Sequence, residues 1–190
     1  MRCGVLALQG DFAAHLKALT RLGVSAFEVR TPAEFREAEA LVIPGGESSV
    51  INTLLKLDGF RTAIIDRITG GMPVLATCCG VIVLARGVKP EQPAFGLLDI
   101  DVTRNAYGRQ LSSAIVDVDL VEEMGPPTTI EGVFIRAPRI SRVGSDVTVL
   151  GYRRDDPVLV KQGRIIAATF HPELSDDLRV HQFFVSGGGY

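Results

Sequence analysis

Three short runs in the first half of the chain constrain its fold more than any other feature. Gly4–Leu8 (GVLAL), Ala40–Pro44 (ALVIP) and Pro73–Thr77 (PVLAT) are apolar almost throughout. A strand with one wet face alternates polar and apolar residues, so runs like these belong to strands buried on both faces. Helix-like stretches separate them at Asp11–Leu22, Ser49–Leu57 and Arg61–Thr69, and Ala26–Arg30 reads as a weaker strand. This alternation predicts a parallel sheet with helices on both faces. With 190 residues, 46% of them hydrophobic, the chain is expected to form one domain over 1–190 with a substantial core.

After about residue 97 the rhythm changes. Leu98–Thr103, Ala114–Leu120, Gly132–Ile135, Val147–Tyr152, Val158–Lys161 and Ile165–Thr169 are strand-like, with few helical signals between them. Gln162-Gly163 reads as a hairpin turn. A last helix is expected over Asp177–Val185, with Ser186–Tyr190 (SGGGY) fraying. The expected fold is therefore a three-layer, flavodoxin-like α/β domain. Its central sheet is mainly parallel and flanked by helices, and an antiparallel strand extension is added in the second half.

Composition narrows the function. The net charge is -2, without a basic block, so neither nucleic acid nor an acidic membrane surface is an expected partner. No apolar run reaches the roughly 18 residues of a membrane span. Met1-Arg2-Cys3-Gly4 leads straight into a strand-like run, so no signal peptide is expected. Three cysteines, two of them adjacent, make no disulfide framework, and the expected location is the reducing cytoplasm.

The adjacent pair, Cys78-Cys79, lies between a strand-like and a helix-like run. In an open parallel sheet, ligands bind beyond the carboxyl ends of the strands. Cys78 falls at such a point, with Gly80 behind it. A nucleophile on a sharp strand-to-helix turn is exposed, and the N–H of the next residue, Cys79, faces a developing oxyanion. The helix N-terminus also suits a thiolate. The competing reading makes both cysteines small buried hydrophobes.

A second segment favours chemistry. Ile165–Thr169 runs into Phe170-His171-Pro172-Glu173, a strand end followed by an imidazole and a carboxylate. A cysteine nucleophile needs a base for its proton and a group to orient that base. Cys78, His171 and Glu173 fill those roles. His15 and His181 have no evident carboxylate partner and read as surface or packing residues. A third segment, Pro44-Gly45-Gly46-Glu47-Ser48-Ser49, follows a buried strand and opens a helix. Its paired glycines allow close approach of a ligand or a change of φ/ψ, and helix-start N–H groups suit an anion. The plainer reading is a turn with Ser48 as N-cap.

Taken together, these segments resemble the triad-type (class I) glutamine amidotransferases. The nearest resemblance is to the family of glutaminase subunits of pyridoxal 5′-phosphate synthases. It is carried by Gly4–Gly10 (GVLALQG), Pro44–Ser49 (PGGESS), Thr77–Gly80 (TCCG), Arg104–Gln110 (RNAYGRQ), Gly132–Pro138 (GVFIRAP) and Phe170–Leu174 (FHPEL). The resemblance implies Cys78 as nucleophile, His171 as general acid/base and Glu173 as its orienter. It implies L-glutamine contacts from Gly46, Glu47, Ser48, Arg104, Ile135 and Arg136, and an oxyanion hole from the Gly45–Gly46 turn and Cys79. A guanidinium fork suits a substrate carboxylate, which fits the two arginines.

The resemblance further implies hydrolysis of L-glutamine to glutamate and ammonia through a glutamyl thioester. No organic cofactor and no metal is expected. The implied partner is the synthase (lyase) subunit that makes pyridoxal 5′-phosphate, within a large heteromeric complex. Three departures stand out: Ala76 where the family elbow has glycine, Cys79 where it has alanine, and Ala14 where an acidic residue commonly precedes His15. Two other functions stay open on the residues alone, a glutaminase serving a different synthase and a silent or thiol-sensing subunit using the Cys78-Cys79 pair. The Gly45–Gly46 peptide is also a candidate switch. It is expected to turn its N–H into the oxyanion hole when a synthase docks near Gln9, leaving the isolated chain weakly active.

Overall fold

The computed structural model describes residues 1–55, 59–106, 113–126 and 128–188. Its main sheet begins with five strands that all run parallel: β1 (Arg2–Leu6), β2 (Ser25–Val29), β3 (Ala40–Ile43), β4 (Val74–Thr77) and β12 (Ile165–Ala168), in the order β2-β1-β3-β4-β12. This is the flavodoxin-like order, in which the direction of winding reverses at β1 and β3. Four antiparallel strands extend it: β11 (Asp156–Gln162), β10 (Thr148–Arg153), β7 (Ser113–Leu120) and β8 (Thr129–Ile135). A separate three-stranded sheet joins β5 (Ala85–Lys89), β6 (Leu98–Thr103) and β9 (Arg139–Val143).

The apolar runs are continuous because successive residues enter different cores. In β3, Leu41 and Ile43 face one side of the sheet while Ala40 and Val42 face the other. The first core is covered by α2 (Pro32–Phe35), α3 (Ser48–Leu54), α4 (Phe60–Thr69), α5 (Cys79–Leu84) and the small sheet. The second is closed by α1 (Phe12–Arg21) and α6 (Arg179–Val185), with Leu19, Val180, Phe183 and Phe184 packed inward. None of the described helices is long and apolar enough to cross a membrane.

Several sequence expectations need correction. The first strand ends at Leu6 rather than Leu8, because the chain leaves the ladder after Ala7, whose N–H still reaches Val29 O at 2.8 Å. The hairpin turn is Gly163-Arg164, since Gln162 is still paired with Ile165. The tail is anchored, not frayed, through Gly188. Gly187 and Gly188 donate to Phe184 O and Phe183 O at 3.1 and 2.8 Å, a glycine C-cap, and Lys161 Nζ donates to Gly188 O at 2.8 Å. Residues 189–190, and the expected end of the Ser49–Leu57 helix at 56–57, lie outside the described residues.

Among the described residues, one α-helix and two strands were not expected. α2 starts with a capping box in which Thr31 and Glu34 bond each other's backbone N–H. β5 begins where the apolar run after Cys78 looked like continuing helix, because α5 stops after six residues. β9, with the sequence RISRV, is too charged to show a strand pattern. It pairs with β6, and Arg142 bonds Asp99 and Asp101 there.

Candidate active site

The carboxyl ends of β1, β3, β4 and β12 meet at one edge of the sheet, and every proposed reacting group sits there. Cys78, between β4 and α5, has φ 45° and ψ −103°, a strained conformation for a residue with a side chain. The turn is held by Cys78 N–H to Ala168 O at 2.8 Å and Val81 N–H to Cys78 O at 3.1 Å. It is sharp because α5 rides directly on β3. A Cβ at position 80 would overlap the carbonyl oxygen of Ile43, so only glycine allows the approach. Ala76, where the resembled family has glycine, is accommodated as a fully buried core residue.

His171 follows β12 and is pinned by its N–H to Val133 O at 2.8 Å. Its Nδ1 lies 2.7 Å from Glu173 Oε1, and both His171 and Cys78 line the same cleft. Pro172 starts the short 3-10 turn that carries Glu173. Burial pushes the His171 pKa down, but the neighbouring Cys78 and Glu173 outweigh it and raise the pKa to about 10. Burial also opposes the charge on Glu173, yet the imidazoles of His15 and His171 hold its carboxyl well below the usual range. The arrangement supplies a protonated imidazole next to a sulfur nucleophile.

In front of these groups lies a cleft of about 180 Å³. Gly46, Glu47, Ser48, Cys78, Cys79, Arg104, Ile135, Arg136 and His171 all line it, as expected from the sequence. Gly45 stands beside it under the His171 ring and the Cys78 Cβ, where any side chain would collide. Arg104 reaches the Glu47 carboxylate at 3.2 Å. Cys78 Sγ is 3.8 Å from Ile135 O. The Cys79 thiol is buried, and burial first, then Cys78 and Glu47, push its pKa up. The N-cap of α3 is Glu47, not Ser48, whose hydroxyl donates to Gln92 Oε1 at 3.1 Å. Residues 107–110 of the Arg104–Gln110 stretch lie outside the described residues.

Gln9 and Gly10 flank the Gly45–Gly46 turn. Gln9 Nε2 donates to Glu47 O at 3.2 Å and packs on Gly46. Gly10, at φ 86°, has its Cα against Gly45 O.

Of the two readings for His15 and His181, surface or packing, the structure selects packing: both are fully buried. His15 does have a carboxylate partner, with Nε2 3.4 Å from Glu173 Oε2. The signal was present but unreadable locally: His15 lies with Ala18 and Leu19 on the buried stripe of α1. Asp11, Ile82 and Asn105 also line the cleft and were not singled out. Among the described residues, Asp11, His171 and Glu173 bring donor atoms within 4.8 Å of one another, the set best placed to hold a cation.

Comparisons with known proteins agree with this fold. Residues 5–187 match the family described as the SNO glutamine amidotransferase family. A protein of Koribacter versatilis named pyridoxal 5′-phosphate synthase subunit PdxT is 51% identical over 187 residues, covering 97% of this chain and 94% of that protein. The protein of that name from Thermus thermophilus is 47% identical over 189 residues, covering 98% and 97%. A crystal structure of a glutamine amidotransferase superposes with a TM-score of 0.90 at 43% identity, covering 99% of both chains. A second glutamine amidotransferase structure, from Thermotoga maritima, shares the fold with a TM-score of 0.67 at 14% identity, covering 98% of this chain and 81% of that one.

Proposed function

The chain belongs to the SNO glutamine amidotransferase family, and on that premise we propose that residues 1–190 form one glutaminase domain delivering ammonia to a pyridoxal 5′-phosphate synthase subunit. The observation that carries this reading is the meeting of a strained Cys78 with the His171–Glu173 pair on one cleft. The near-full-length relatives named as synthase subunits support the partner. A large heteromeric complex in the cytoplasm follows from that partner and from the need to keep Cys78 reduced.

In the proposed cycle, Cys78 enters as thiolate beside protonated His171. Sulfur attacks the side-chain amide carbon of glutamine, and the carbonyl π electrons move onto oxygen. Backbone N–H groups of Cys79 and the Gly45–Gly46 turn receive that oxyanion, each contributing roughly 3–4 kcal/mol. As the tetrahedral species collapses, His171 gives its proton to the leaving nitrogen, and ammonia departs from a glutamyl thioester. Neutral His171 then takes a proton from water, hydroxide adds to the thioester, and glutamate leaves with Cys78 returned as thiolate. A His171 pKa raised to about 10 keeps the acid loaded near neutral pH.

Gly46, Glu47, Ser48, Ile135 and Arg136 form the glutamine cradle, and Arg104 meets the α-carboxylate after leaving Glu47. The decisive measurement is glutamate released from glutamine by the chain with and without the synthase subunit. Release in the complex, lost in Cys78→Ala, is the expected result. Absence of release in both settings overturns the reading.

A further inference from the structure

Behind Glu173 stand three polar side chains with 0% exposure: His15, Thr77 and His181. None of them takes part in the bond changes. They form a continuous path. His181 Nε2 lies 2.9 Å from His15 Nδ1, and His15 Nε2 lies 3.1 Å from Thr77 Oγ1 and 3.4 Å from Glu173 Oε2. Thr77 Oγ1 accepts the N–H of Gly45 at 3.1 Å. The path thus touches both the triad carboxylate and the oxyanion turn.

Hydrogen-bond partners assign the tautomers. His181 Nδ1 has no partner among the described residues, and burial brings this imidazole down to about 3, so it is neutral. Its one proton therefore belongs on Nε2, donating to His15 Nδ1. His15 Nδ1 is then an acceptor, and the His15 proton sits on Nε2, directed at Thr77 Oγ1 and Glu173 Oε2.

Glu173 Oε2 makes no hydrogen bond among the described residues and faces only the His15 Nε2 ion-pair contact at 3.4 Å, whereas Oε1 is bonded to His171. A carboxylate held by one oxygen turns easily about its terminal torsion, which is broad for sp³–sp² bonds. A donor at the second oxygen removes that freedom. The surrounding layer holds Val5, Leu19, Leu75, Val180 and Phe184. An apolar pair would pack there without desolvating two imidazoles.

We propose that His15, with its tautomer set by His181, is a positioning residue that fixes the Glu173 carboxylate toward His171 and, through Thr77, ties the Gly45 end of the oxyanion turn to the same frame. This rests on the glutaminase reading. The test is glutamate release by the complex with the synthase subunit, for wild type, His15→Leu, His15→Gln and His181→Phe, with thermal unfolding of each chain. His15→Leu is expected to lower kcat about 10–100-fold, the usual scale for outer-layer partners, with KM changed by less than about 3-fold. His15→Gln, whose amide NH₂ reaches the Nε2 position, recovers most of kcat. His181→Phe lowers kcat by a smaller factor, because the His15 proton is no longer directed to Nε2.

Equal losses in His15→Leu and His15→Gln that follow lowered Tm overturn the proposal in favour of packing alone. So does a kcat within about 3-fold of wild type in both His15→Leu and His181→Phe. Should His15→Leu fail to fold, His15→Gln and His181→Phe decide by the same kcat criterion. A wild-type complex releasing no glutamate overturns the glutaminase reading itself, and this inference with it; an active wild type with indifferent variants overturns only the inference.

Discussion

His171 Nδ1 and Glu173 Oε1 stand 2.7 Å apart across a single proline. This pair decides whether the imidazole is loaded and aimed. Glu173→Gln keeps the shape but removes the charge, so kcat is expected to fall by up to about 10⁴-fold, with KM little changed. The pH profile moves as well. Glu173 helps raise the His171 pKa to about 10, so its loss lowers that pKa and brings the alkaline limb of kcat to lower pH. A pure KM effect, or an unmoved limb, would make Glu173 a substrate contact instead.

Cys78 and Cys79 are separable by labelling. A glutamine-like diazo-ketone is expected to modify Cys78 alone, because Cys79 is buried with its thiol pKa pushed up. Cys78→Ala should abolish hydrolysis, while Cys79→Ala should retain most of it through its unchanged backbone N–H. Mass spectrometry of the labelled peptide and the two rates settle the assignment. Activity lost only in Cys79→Ala would reverse it.

Gln9 and Gly10 hold the oxyanion turn from the β1 side. Gly10→Ala would drive a methyl into Gly45 O at a left-handed φ of 86°. If the turn yields, one oxyanion donor is misplaced, and kcat drops about 10²–10³-fold. Gln9→Ala removes the bond to Glu47 O and is expected to blunt activation by the synthase subunit while sparing the isolated chain's weak rate. The ratio of kcat with and without synthase measures this. Full activity in the isolated wild-type chain contradicts the switch, and an unchanged ratio in Gln9→Ala removes Gln9 from it.

Acid sensitivity should trace partly to His181. Its folded pKa, held near 3 by burial and then His15 against the opposing pull of Glu173, lies below the ordinary 6.5. A depressed pKa contributes stability above the unfolded value and loses it as pH falls toward the folded one. The window is therefore about pH 6.5 to 3, and the loss is on the order of a few kcal/mol. Urea unfolding across that range should show a shallower decline in His181→Phe than in wild type. Parallel declines would assign the sensitivity elsewhere, Glu173 being next in line as its carboxyl protonates.

The parallel half of the sheet was legible in the chain because a strand buried on both faces must be apolar at every position, and GVLAL, ALVIP and PVLAT are. The proposed triad was legible for a similar reason. Cys78 before Gly80 and His171 beside Glu173 are short-range patterns, and the chemistry is written within a few residues.

Other features depend on contacts that no local pattern encodes. β9 hides in RISRV because Arg142 answers Asp99 and Asp101 on β6 and Arg139 answers Asp156 on β11. The tail SGGGY looks loose until Lys161 from β11 reaches Gly188 O. His15 and His181 are 166 residues apart, and each alone reads as an ordinary helical histidine. A side chain's local sequence determines which face of its element it occupies. What waits on that face, Glu173 and Thr77 here, is decided when α1 and α6 close over the same side of the sheet.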